Sequence, residues 1–293
     1  MTLDVVVVTY ESAAELAGCL TALPREARVV AVDNASRDRS AELARELGAQ
    51  VVRNPRNRGF AAAANQGARL GNGDLVLFLN PDAAIREPDL RRLVAALEGD
   101  PRLFAVGPRL RHPDGGEQRA WWPFPSAAAT WAEALGLRRL RPPRAGADGA
   151  VPFVVGACML VRRRQFEALG GFDERFWLYG EEADLCYRAR RRGWRVGHVP
   201  DATARHVGGA SGHHLGRLAF EHFQRGTEHF ILKHQGGGAL LAHRLGLLTG
   251  SLLRLPLLAV AGRASADARL ARRRAVAARL ATVLLRHATR VAP

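Results

Sequence analysis

A short acidic segment carries the clearest sign of acid–base chemistry in this sequence. Glu181, Glu182 and Asp184 place three carboxylates within four positions, directly after the bulky residues Trp177 and Tyr179. Like charges and partial burial raise the pKa of a carboxyl group, which suits it to accept a proton from a hydroxyl. A negatively charged first helical turn, which the helix dipole favours, would give the same pattern. We expect a general base here, with the helical turn as the alternative.

Two polar clusters follow apolar runs that are typical of buried strands. Asp33 comes directly after Val29–Val32, where a carboxylate can accept hydrogen bonds from the base or ribose of a nucleotide. Asn80 and Asp82 follow Leu75–Leu79, where one carboxylate can hold a divalent cation whose other ligands are phosphate oxygens. Each cluster taken alone is also an ordinary turn or helix cap.

One histidine stands among small residues and could join such a site. His206 is followed by Val207, Gly208 and Gly209, so its ring could reach a cation or a departing diphosphate without steric obstruction. A lone histidine is usually a surface residue or a satisfied core residue. His206 is therefore a candidate only in combination with the acidic positions.

Alternating strands and helices must position these residues. The apolar periodicity predicts strands at Leu3–Thr9, Val29–Val32, Val51–Val52 and Leu75–Leu79, and helices from Ser12 to about Leu23, at Asp38–Leu47 and at Phe60–Leu70. Glu15 would complete a capping box with Ser12. This alternation predicts an α/β fold with a doubly wound, mostly parallel sheet, in which ligands bind at the carboxyl ends of the strands.

The second half of the chain is less regular at first and then helical. Residues 111–150 lack periodicity and are expected to form a long loop over the site. Further elements are predicted as a strand pattern at Phe153–Val161, helices at Gln165–Leu169 and Glu181–Arg192, and helix from Leu215 onward with breaks at Gly236–Gly238 and Pro256.

Composition limits the class of protein and its compartment. The 293 residues are 47% hydrophobic and 24% charged, as in a folded protein. The three cysteines form no CxxC pair, which argues against a disulfide framework or a zinc ribbon and for a reducing compartment. The first residues lack the basic stretch and long apolar run of a signal peptide, so we expect a cytoplasmic protein.

Positive charge is concentrated in the last quarter of the chain. Residues 215–293 hold 13 Lys and Arg against three Asp and Glu, a net of +10 out of the total of +15. Leucines are dense between 240 and 258, but Arg254 disfavours a membrane-spanning helix. We expect a catalytic domain over 1–214 and, over 215–293, a basic amphipathic helical region on anionic lipid. The alternative is a helical cap with a solvated basic face.

Several short motifs in this order resemble those of family 2 glycosyltransferases, closest to their bacterial rhamnosyltransferase-like branch. The resemblance covers about residues 3–212. The matching segments are Val5–Tyr10, Val32–Ser36, Asn57–Ala61 with Asn65, Leu79–Asp82, Gly156–Leu160, Gly171–Glu174, Tyr179–Leu185 with Arg188, and His206. The resemblance implies the GT-A fold, followed here by the C-terminal basic helical region.

The family implies a role for each matching position. Nucleotide and donor contacts would come from Thr9, Tyr10, Asp33, Asn57, Gly59, Phe60, Asn65 and Asn80. Asp82 would hold Mn²⁺ or Mg²⁺ with help from His206. The general base of the family's Glu-Asp pair falls on Glu182, with Glu181 beside it, although this chain has Glu-Glu. Trp177, Tyr179 and Asp184 would line the acceptor side.

The resemblance also implies a reaction. An acceptor hydroxyl would attack the anomeric carbon of a nucleotide-diphosphate sugar in one inverting displacement, for which one positioned base suffices. The donor suggested by the branch is dTDP-rhamnose, and the acceptor a glycan or a polyprenyl-diphosphate-linked glycan at the inner face of the cell membrane, in cell-envelope polysaccharide synthesis. The enzyme would be cytoplasmic and peripheral on that membrane.

Two other classes of function compete with this one. A nucleic-acid-binding protein would explain the charge, but no helix-turn-helix, zinc-finger or RNP motif is present, and the acidic segment would repel phosphate, so we expect no nucleic-acid partner. A non-catalytic nucleotide-sugar sensor would share the fold, but retention of Asp82, Glu182 and His206 argues against it. A nucleotidyltransferase should carry a glycine-rich loop after the first strand, where Thr9 to Ser12 stand instead.

Overall fold

The chain divides into two compact units. A computed structural model describes residues 1–137, 144–146, 148–208 and 210–260. The first unit consists of Met1–Phe124 with Arg144–Gly226, and the second of the described parts of Pro125–Pro143 and Thr227–Pro293. The functional division at 214 and 215 stays a prediction, and the arginine-rich stretch after residue 260 lies outside the described residues.

The described part of the chain contains eleven strands and eight helices. The strands are β1 (Leu3–Thr9), β2 (Arg28–Asp33), β3 (Gln50–Arg53), β4 (Leu75–Leu79), β5 (Ala83–Ile85), β6 (Leu103–Arg111), β7 (Glu117–Gln118), β8 (Trp121–Trp122), β9 (Phe153–Val154), β10 (Cys158–Arg162) and β11 (Arg195–His206). The helices are α1 (Ala13–Leu20), α2 (Ser40–Glu46), α3 (Phe60–Ala68), α4 (Glu87–Gly99), α5 (Ala127–Ala134), α6 (Arg163–Ala168), α7 (Glu181–Arg191) and α8 (Ala210–Val260).

A mixed sheet with the order β3-β2-β1-β4-β10-β6-β11-β5 forms the centre of the first unit, and β7 pairs with β6. The strands β1 to β4 are parallel, whereas β10 runs antiparallel to both β4 and β6. Every residue of β4 is buried, because helices cover both faces of a parallel sheet. The predicted doubly wound, mostly parallel α/β sheet is confirmed, and so is the C-terminal helical region.

Strand register brings the polar clusters to one edge of the sheet. Thr9 is paired with Asp33 at the carboxyl ends of β1 and β2. The chain leaves β4 at Leu79 and turns back as β5, whose Ala83 is paired with His206 of β11. This antiparallel pairing places His206 next to Asp82, 124 positions away in the sequence.

Some local predictions are wrong. Residues 111–150 are not a plain loop, since they contain β7, β8 and α5, and Ser126 caps α5 by accepting a hydrogen bond from the Ala129 amide. Ser12 does not form the capping box, because its hydroxyl donates to the carbonyl of Tyr10 instead. The backbone also stays helical at Pro256.

The second unit contains a helical hairpin. Arg244 and Glu228 form an ion pair at 2.8 Å although they are 16 residues apart, a separation of about 24 Å along a straight helix. Gly236 has a φ of +84°, so α8 reverses direction there. The break predicted at Gly236–Gly238 is therefore confirmed. The arm after the turn packs on α5, where Thr130 is hydrogen-bonded to the ring of His243 at 2.6 Å.

Candidate active site

The acidic pair lies at the start of α7, and its two members have different surroundings. Glu181 is buried, and its Oε2 has no hydrogen-bond partner among the described residues. Burial, followed by the charge of Glu182, raises the pKa of Glu181 well above its ordinary value. Glu182 is half-buried, and its Oε2 accepts a hydrogen bond from the Gly180 amide at 3.2 Å. Burial raises the pKa of Glu182 as well.

A left-handed turn holds this pair in place. Tyr179 has a φ of +69° and Gly180 a φ of +94°, and a non-glycine residue at such an angle is uncommon. The turn packs tightly on Gly226 of α8, where an added Cβ would lie 2.0 Å from the Tyr179 carbonyl oxygen. The first turn of α7 thus has a fixed position.

Asp82 and His206 form the second part of the site. Their Oδ1 and Nε2 atoms are 3.4 Å apart, and both side chains are largely buried. Burial opposes ionisation of Asp82, but the hydrogen bond from His206 and the positive charge that its ring carries when protonated outweigh this effect, so the pKa of Asp82 is lowered. The other ring nitrogen of His206, Nδ1, lies 2.8 Å from Oε1 of Gln118.

Tyr179 connects the two parts electrostatically. Burial first, and then the negative charges of Glu181, Glu182 and Asp82, raise the pKa of its phenol. All three carboxyl groups therefore act on the same hydroxyl. Tyr179 therefore lies within electrostatic range of both the acidic pair and Asp82, which contacts His206.

A pocket lies near the carboxyl ends of β2 and β3. It has a volume of about 390 Å³ and is lined by Ala35, Ser36, Arg53, Asn54 and Pro55. Volumes of about 300–1,000 Å³ are typical of small-ligand sites. This pocket thus lies at the strand ends where a nucleotide was expected.

Asp33 contacts two of the residues that line this pocket. It is fully buried and accepts hydrogen bonds from Thr9 Oγ1 at 3.2 Å and from the Ser36 amide at 3.3 Å. Its Oδ2 also lies 3.3 Å from Nε of Arg53. Tyr10 is half-buried at the end of β1, and its amide faces the Ser12 hydroxyl at 3.3 Å. Asp33 therefore fixes the pocket-lining residues Ser36 and Arg53.

The loop before α3 is fastened to the segment that precedes the acidic pair. The Phe60 amide donates to the carbonyl of Trp177 at 2.7 Å, and the side chain of Asn57 accepts from the Gly59 amide at 2.9 Å. The ring of Trp177 stacks on His222 with centroids 4.4 Å apart. Asn80, by contrast, is held through its backbone, whose amide donates to the carbonyl of Ala157 at 2.9 Å.

Two expected site residues lie elsewhere. Asn65 is buried, and its side chain exchanges hydrogen bonds of 2.9 Å with the backbone of Phe172. It therefore fastens α3 to the loop after α6 rather than lying along a nucleotide. Asp184 is fully buried and paired with Arg188 at 2.7 Å, so it supports α7 and does not line an acceptor surface. Both residues were expected in the site because of their polar side chains. Their roles in the structure depend on where those side chains point, which residue type does not show.

Two residues of the site were not predicted from the sequence. Arg53 ends β3 and lines the pocket, and the rule that ligands bind at strand ends could have found it. Gln118 contacts His206 from β7, inside a stretch that was predicted to be a loop, and no sequence signal marks it.

A divalent cation would have two protein ligands here. No group of three His, Cys, Asp or Glu side chains that could enclose a metal occurs within the described ranges. Asp82 and His206 offer a carboxylate oxygen and an imidazole nitrogen that face each other. These donors fit Mn²⁺ or Mg²⁺ if phosphate oxygens supply the remaining ligands.

Family models identify the class of enzyme to which this chain belongs. The family model described as "Glycosyl transferase family 2" matches residues 4–170, more than half of the chain. The chain belongs to glycosyl transferase family 2. A second family model, described as "N-terminal domain of galactosyltransferase", matches residues 145–208, which contain the acidic pair and His206. This glycosyltransferase therefore carries its candidate base inside a region shared with sugar-transferring enzymes.

Relatives support the rhamnosyltransferase-like branch. The glycosyltransferase is 31% identical over 235 residues to N-acetylglucosaminyl-diphospho-decaprenol L-rhamnosyltransferase of Mycobacterium tuberculosis, covering 70% of this chain and 75% of the relative. It is 29% identical over 156 residues to rhamnosyltransferase WbbL of Escherichia coli, covering 52% of this chain and 58% of that protein. The resemblance deduced from the motifs is confirmed.

Solved structures confirm the GT-A fold. The mannosyltransferase PcManGT from Pyrobaculum calidifontis, solved with GDP-Man and Mn²⁺, superposes with a TM-score of 0.59 at 24% identity and covers 94% of this chain and 80% of that one. GalNAc-T7, solved with UDP, GalNAc and Mn²⁺, gives a TM-score of 0.54 at 20% identity over 70% of this chain and 44% of that one.

Within the described helices, none is both long and apolar enough to cross a bilayer.

Proposed function

We propose that this family 2 glycosyltransferase transfers a sugar, with inversion, from a nucleotide-diphosphate donor to a hydroxyl of a glycan or polyprenyl-diphosphate-linked acceptor. The observation that carries the proposal is the half-buried Glu182, which stands beside the buried Glu181 while Asp82 acts on the same Tyr179 hydroxyl. Glu182 can thus accept a proton from the acceptor, while Asp82 stands near it on the side where the diphosphate of the donor would lie.

Glu182 is the base in this proposal. Glu182 is half-buried whereas Glu181 is buried, so Glu182 is the member of the pair that would meet an acceptor. The proton of the acceptor hydroxyl passes to Glu182 as the acceptor oxygen bonds to the anomeric carbon. The bond from that carbon to the diphosphate oxygen breaks on the opposite face, and its electron pair leaves with the nucleoside diphosphate. Burial raises the pKa of both carboxyl groups, which favours uptake of a proton from a hydroxyl.

Asp82 and His206 would hold Mn²⁺ or Mg²⁺, with Asn80 close by. When bound, the cation would neutralise the negative charge that develops on the departing diphosphate. The fit rests on the facing oxygen and nitrogen donors. PcManGT and GalNAc-T7 were each solved with Mn²⁺, which supports a divalent ion in this fold.

The pocket beside β2 would take the base and ribose of the donor. Ser36, Arg53 and Asn54 line it, and Thr9 and Asp33 order its floor from behind. Tyr10 and the loop from Asn57 to Phe60 would continue the donor site toward Asn80. Trp177 and Tyr179 would then form the acceptor side.

Rhamnose from dTDP-rhamnose is the proposed sugar, and a lipid-diphosphate-linked glycan of the cell envelope the proposed acceptor. The sugar and the acceptor follow from the mycobacterial relative, whose name states an N-acetylglucosaminyl-diphospho-decaprenol acceptor and an L-rhamnosyl transfer, whereas the dTDP carrier follows from the resemblance to the rhamnosyltransferase-like branch. WbbL of Escherichia coli supports the same sugar.

A lipid-linked acceptor implies work at the inner face of the cell membrane. In the second unit, Leu241, Leu245 and Leu252 are each about half exposed. At 100° per residue these three positions fall within 40° of one another on the helix surface. An apolar stripe of this kind, followed by the basic sequence after residue 260, supports binding to anionic lipid. A catalytic domain over 1–214 and a membrane-binding region over 215–293 remain our proposed division.

A transfer assay tests the proposal directly. The purified chain would be given an N-acetylglucosaminyl-diphospho-polyprenol acceptor and a panel of dTDP-, UDP- and GDP-sugars, each with Mn²⁺, with Mg²⁺ or with chelator. We expect transfer from dTDP-rhamnose, dependent on the ion, with inverted configuration in the product by NMR. Retained configuration would refute the single displacement, and transfer only from another donor would refute the assignment of the sugar.

A further inference from the structure

Gln118 contacts His206 at two points. Its Nε2 donates to the backbone carbonyl of His206 at 2.6 Å, and its Oε1 lies 2.8 Å from the His206 Nδ1. The same Nε2 also faces the ring Nδ1 of His112. A carbonyl oxygen can only accept a hydrogen bond, so the atom of Gln118 that faces it must be the NH₂ group. The amide orientation of Gln118 is therefore settled by its neighbours.

This orientation determines which ring nitrogen of His206 carries a proton. Because Oε1 of Gln118 can only accept, His206 Nδ1 must be the donor in their contact. In the neutral ring the lone pair then resides on Nε2. That atom lies 3.4 Å from Asp82 Oδ1, which is itself an acceptor when ionised. Two facing acceptors require something positive between them, either a proton on Nε2 or a cation.

We infer that Gln118 is a positioning residue, which fixes His206 in the form that offers Nε2 to a divalent cation shared with Asp82. The inference rests on the proposed function and extends it from the two ligands to the group that orients one of them. Partners of this kind fix both tautomer and ring orientation of a ligating histidine, and losing one typically lowers metal affinity about 10- to 100-fold.

The sheet explains how Gln118 reaches His206. Leu110 of β6 is paired with Gln118 of β7, and it is also paired with Ala204 of β11. Gly208, with a φ of +75°, brings the chain after His206 so close that an added Cβ would lie 3.3 Å from Nε2 of Gln118. Backbone pairing thus places Gln118 beside His206, and its side chain is held there by neighbouring atoms.

Mn²⁺ binding in the presence of dTDP, followed by electron paramagnetic resonance of the free ion, tests the inference without relying on turnover. Gln118→Met keeps the side-chain length but removes both hydrogen bonds to His206. We expect this variant to bind Mn²⁺ about 10- to 100-fold more weakly than the parent. Gln118→Glu keeps an acceptor for His206 Nδ1 but loses the donor to the His206 carbonyl, so it should weaken Mn²⁺ binding less than Gln118→Met. Gln165→Met is the matched control, since this half-buried glutamine lies on α6 and its Oε1 has no partner among the described residues.

A second measurement uses the unsubstituted chain and so does not depend on the folding of a variant. ¹⁵N NMR of the ring of His206, assigned by its loss in His206→Asn, should show Nδ1 protonated and Nε2 unprotonated when the ring is neutral. An Nε2-protonated neutral ring would overturn the inference. So would parental Mn²⁺ affinity in Gln118→Met, an outcome that leaves the proposed transfer reaction standing. A parent chain that binds no Mn²⁺ with dTDP would overturn both this inference and the proposed metal role.

Discussion

Gly59 and Trp177 are in direct backbone contact across 118 positions of sequence. A Cβ at Gly59 would lie 2.3 Å from the Trp177 carbonyl oxygen, which already accepts the Phe60 amide at 2.7 Å. Gly59 also has a φ of +82°, in the left-handed region that favours glycine. The start of α3 and the segment that precedes the acidic pair are thus held together by a position that only glycine can occupy.

Gly59→Ala should lower both stability and transfer. Left-handed backbone alone costs alanine about 1–2 kcal/mol, and the clash with Trp177 adds to that cost. Gly48→Ala is the matched control, because Gly48 has a φ of +87° but no atom within 4 Å of an added Cβ. Urea unfolding should show a larger loss for Gly59→Ala than for Gly48→Ala, and only the former should reduce transfer at saturating donor. Equal losses in the two variants would mean that the contact with Trp177 is unimportant.

Glu181→Gln should make the chain more stable at high pH. The folded-state pKa of Glu181 is raised above its unfolded value near 4.5, so the folded state binds more protons between these two pKa values. Stability from this group is fully present below about pH 4.5 and is lost as pH rises through the folded pKa. Glutamine removes the buried charge, so the melting temperature of the variant should exceed that of the parent at pH 8 and approach it near pH 4.5. A pH-independent difference would contradict this account.

Replacing Leu241, Leu245 and Leu252 together by Gln should weaken binding to vesicles that contain anionic lipid. Each leucine is about half exposed, and burying such a side chain in a membrane is worth up to about 1.5–3 kcal/mol. Leu47→Gln with Leu70→Gln is the control, since these leucines are partly exposed in the first unit. Sedimentation with vesicles should fall at least tenfold for the triple variant and stay unchanged for the control. Equal sedimentation would favour the helical cap with a solvated basic face.

The central sheet could be predicted because its strands are buried apolar runs that end in polar residues. Leu75–Leu79 was predicted with its observed bounds, and Leu3–Thr9 likewise. After residue 82, the strand pattern at Phe153–Val161 was predicted and corresponds to β9 and β10, but the other strands were not predicted. In β11, for example, Pro200, Asp201 and Arg205 interrupt the apolar pattern, and the strand forms because it pairs with both β6 and β5. Tertiary pairing overrides local pattern there.

Residue types indicated which residues could belong to the candidate site, but they indicated the role of each residue less well. Asp82, Glu182 and His206 could be found because carboxylates and a histidine stand in conspicuous places. Asn65 looks the same in sequence as a ligand-binding asparagine, but both ends of its amide are bonded to Phe172. A one-dimensional pattern contains no information on the direction of a side chain, and so it could not separate these cases.

Glu182→Gln should nearly stop transfer while leaving donor binding within a few-fold of the parent. Glutamine keeps the shape and can still face the Gly180 amide through its oxygen, but it cannot take up the acceptor proton. Loss of a general base typically costs about 100- to 10,000-fold in rate.

Glu182→Asp should retain part of the rate, because a carboxylate remains although it is one methylene shorter. Glu181→Gln should do less damage, since Glu181 is buried and is not the member of the pair that would meet the acceptor. Single-turnover transfer and dTDP-sugar titration would be measured on all three variants. Near-parental turnover of Glu182→Gln would refute its role, and a dead Glu181→Gln beside an active Glu182→Gln would move the base to Glu181.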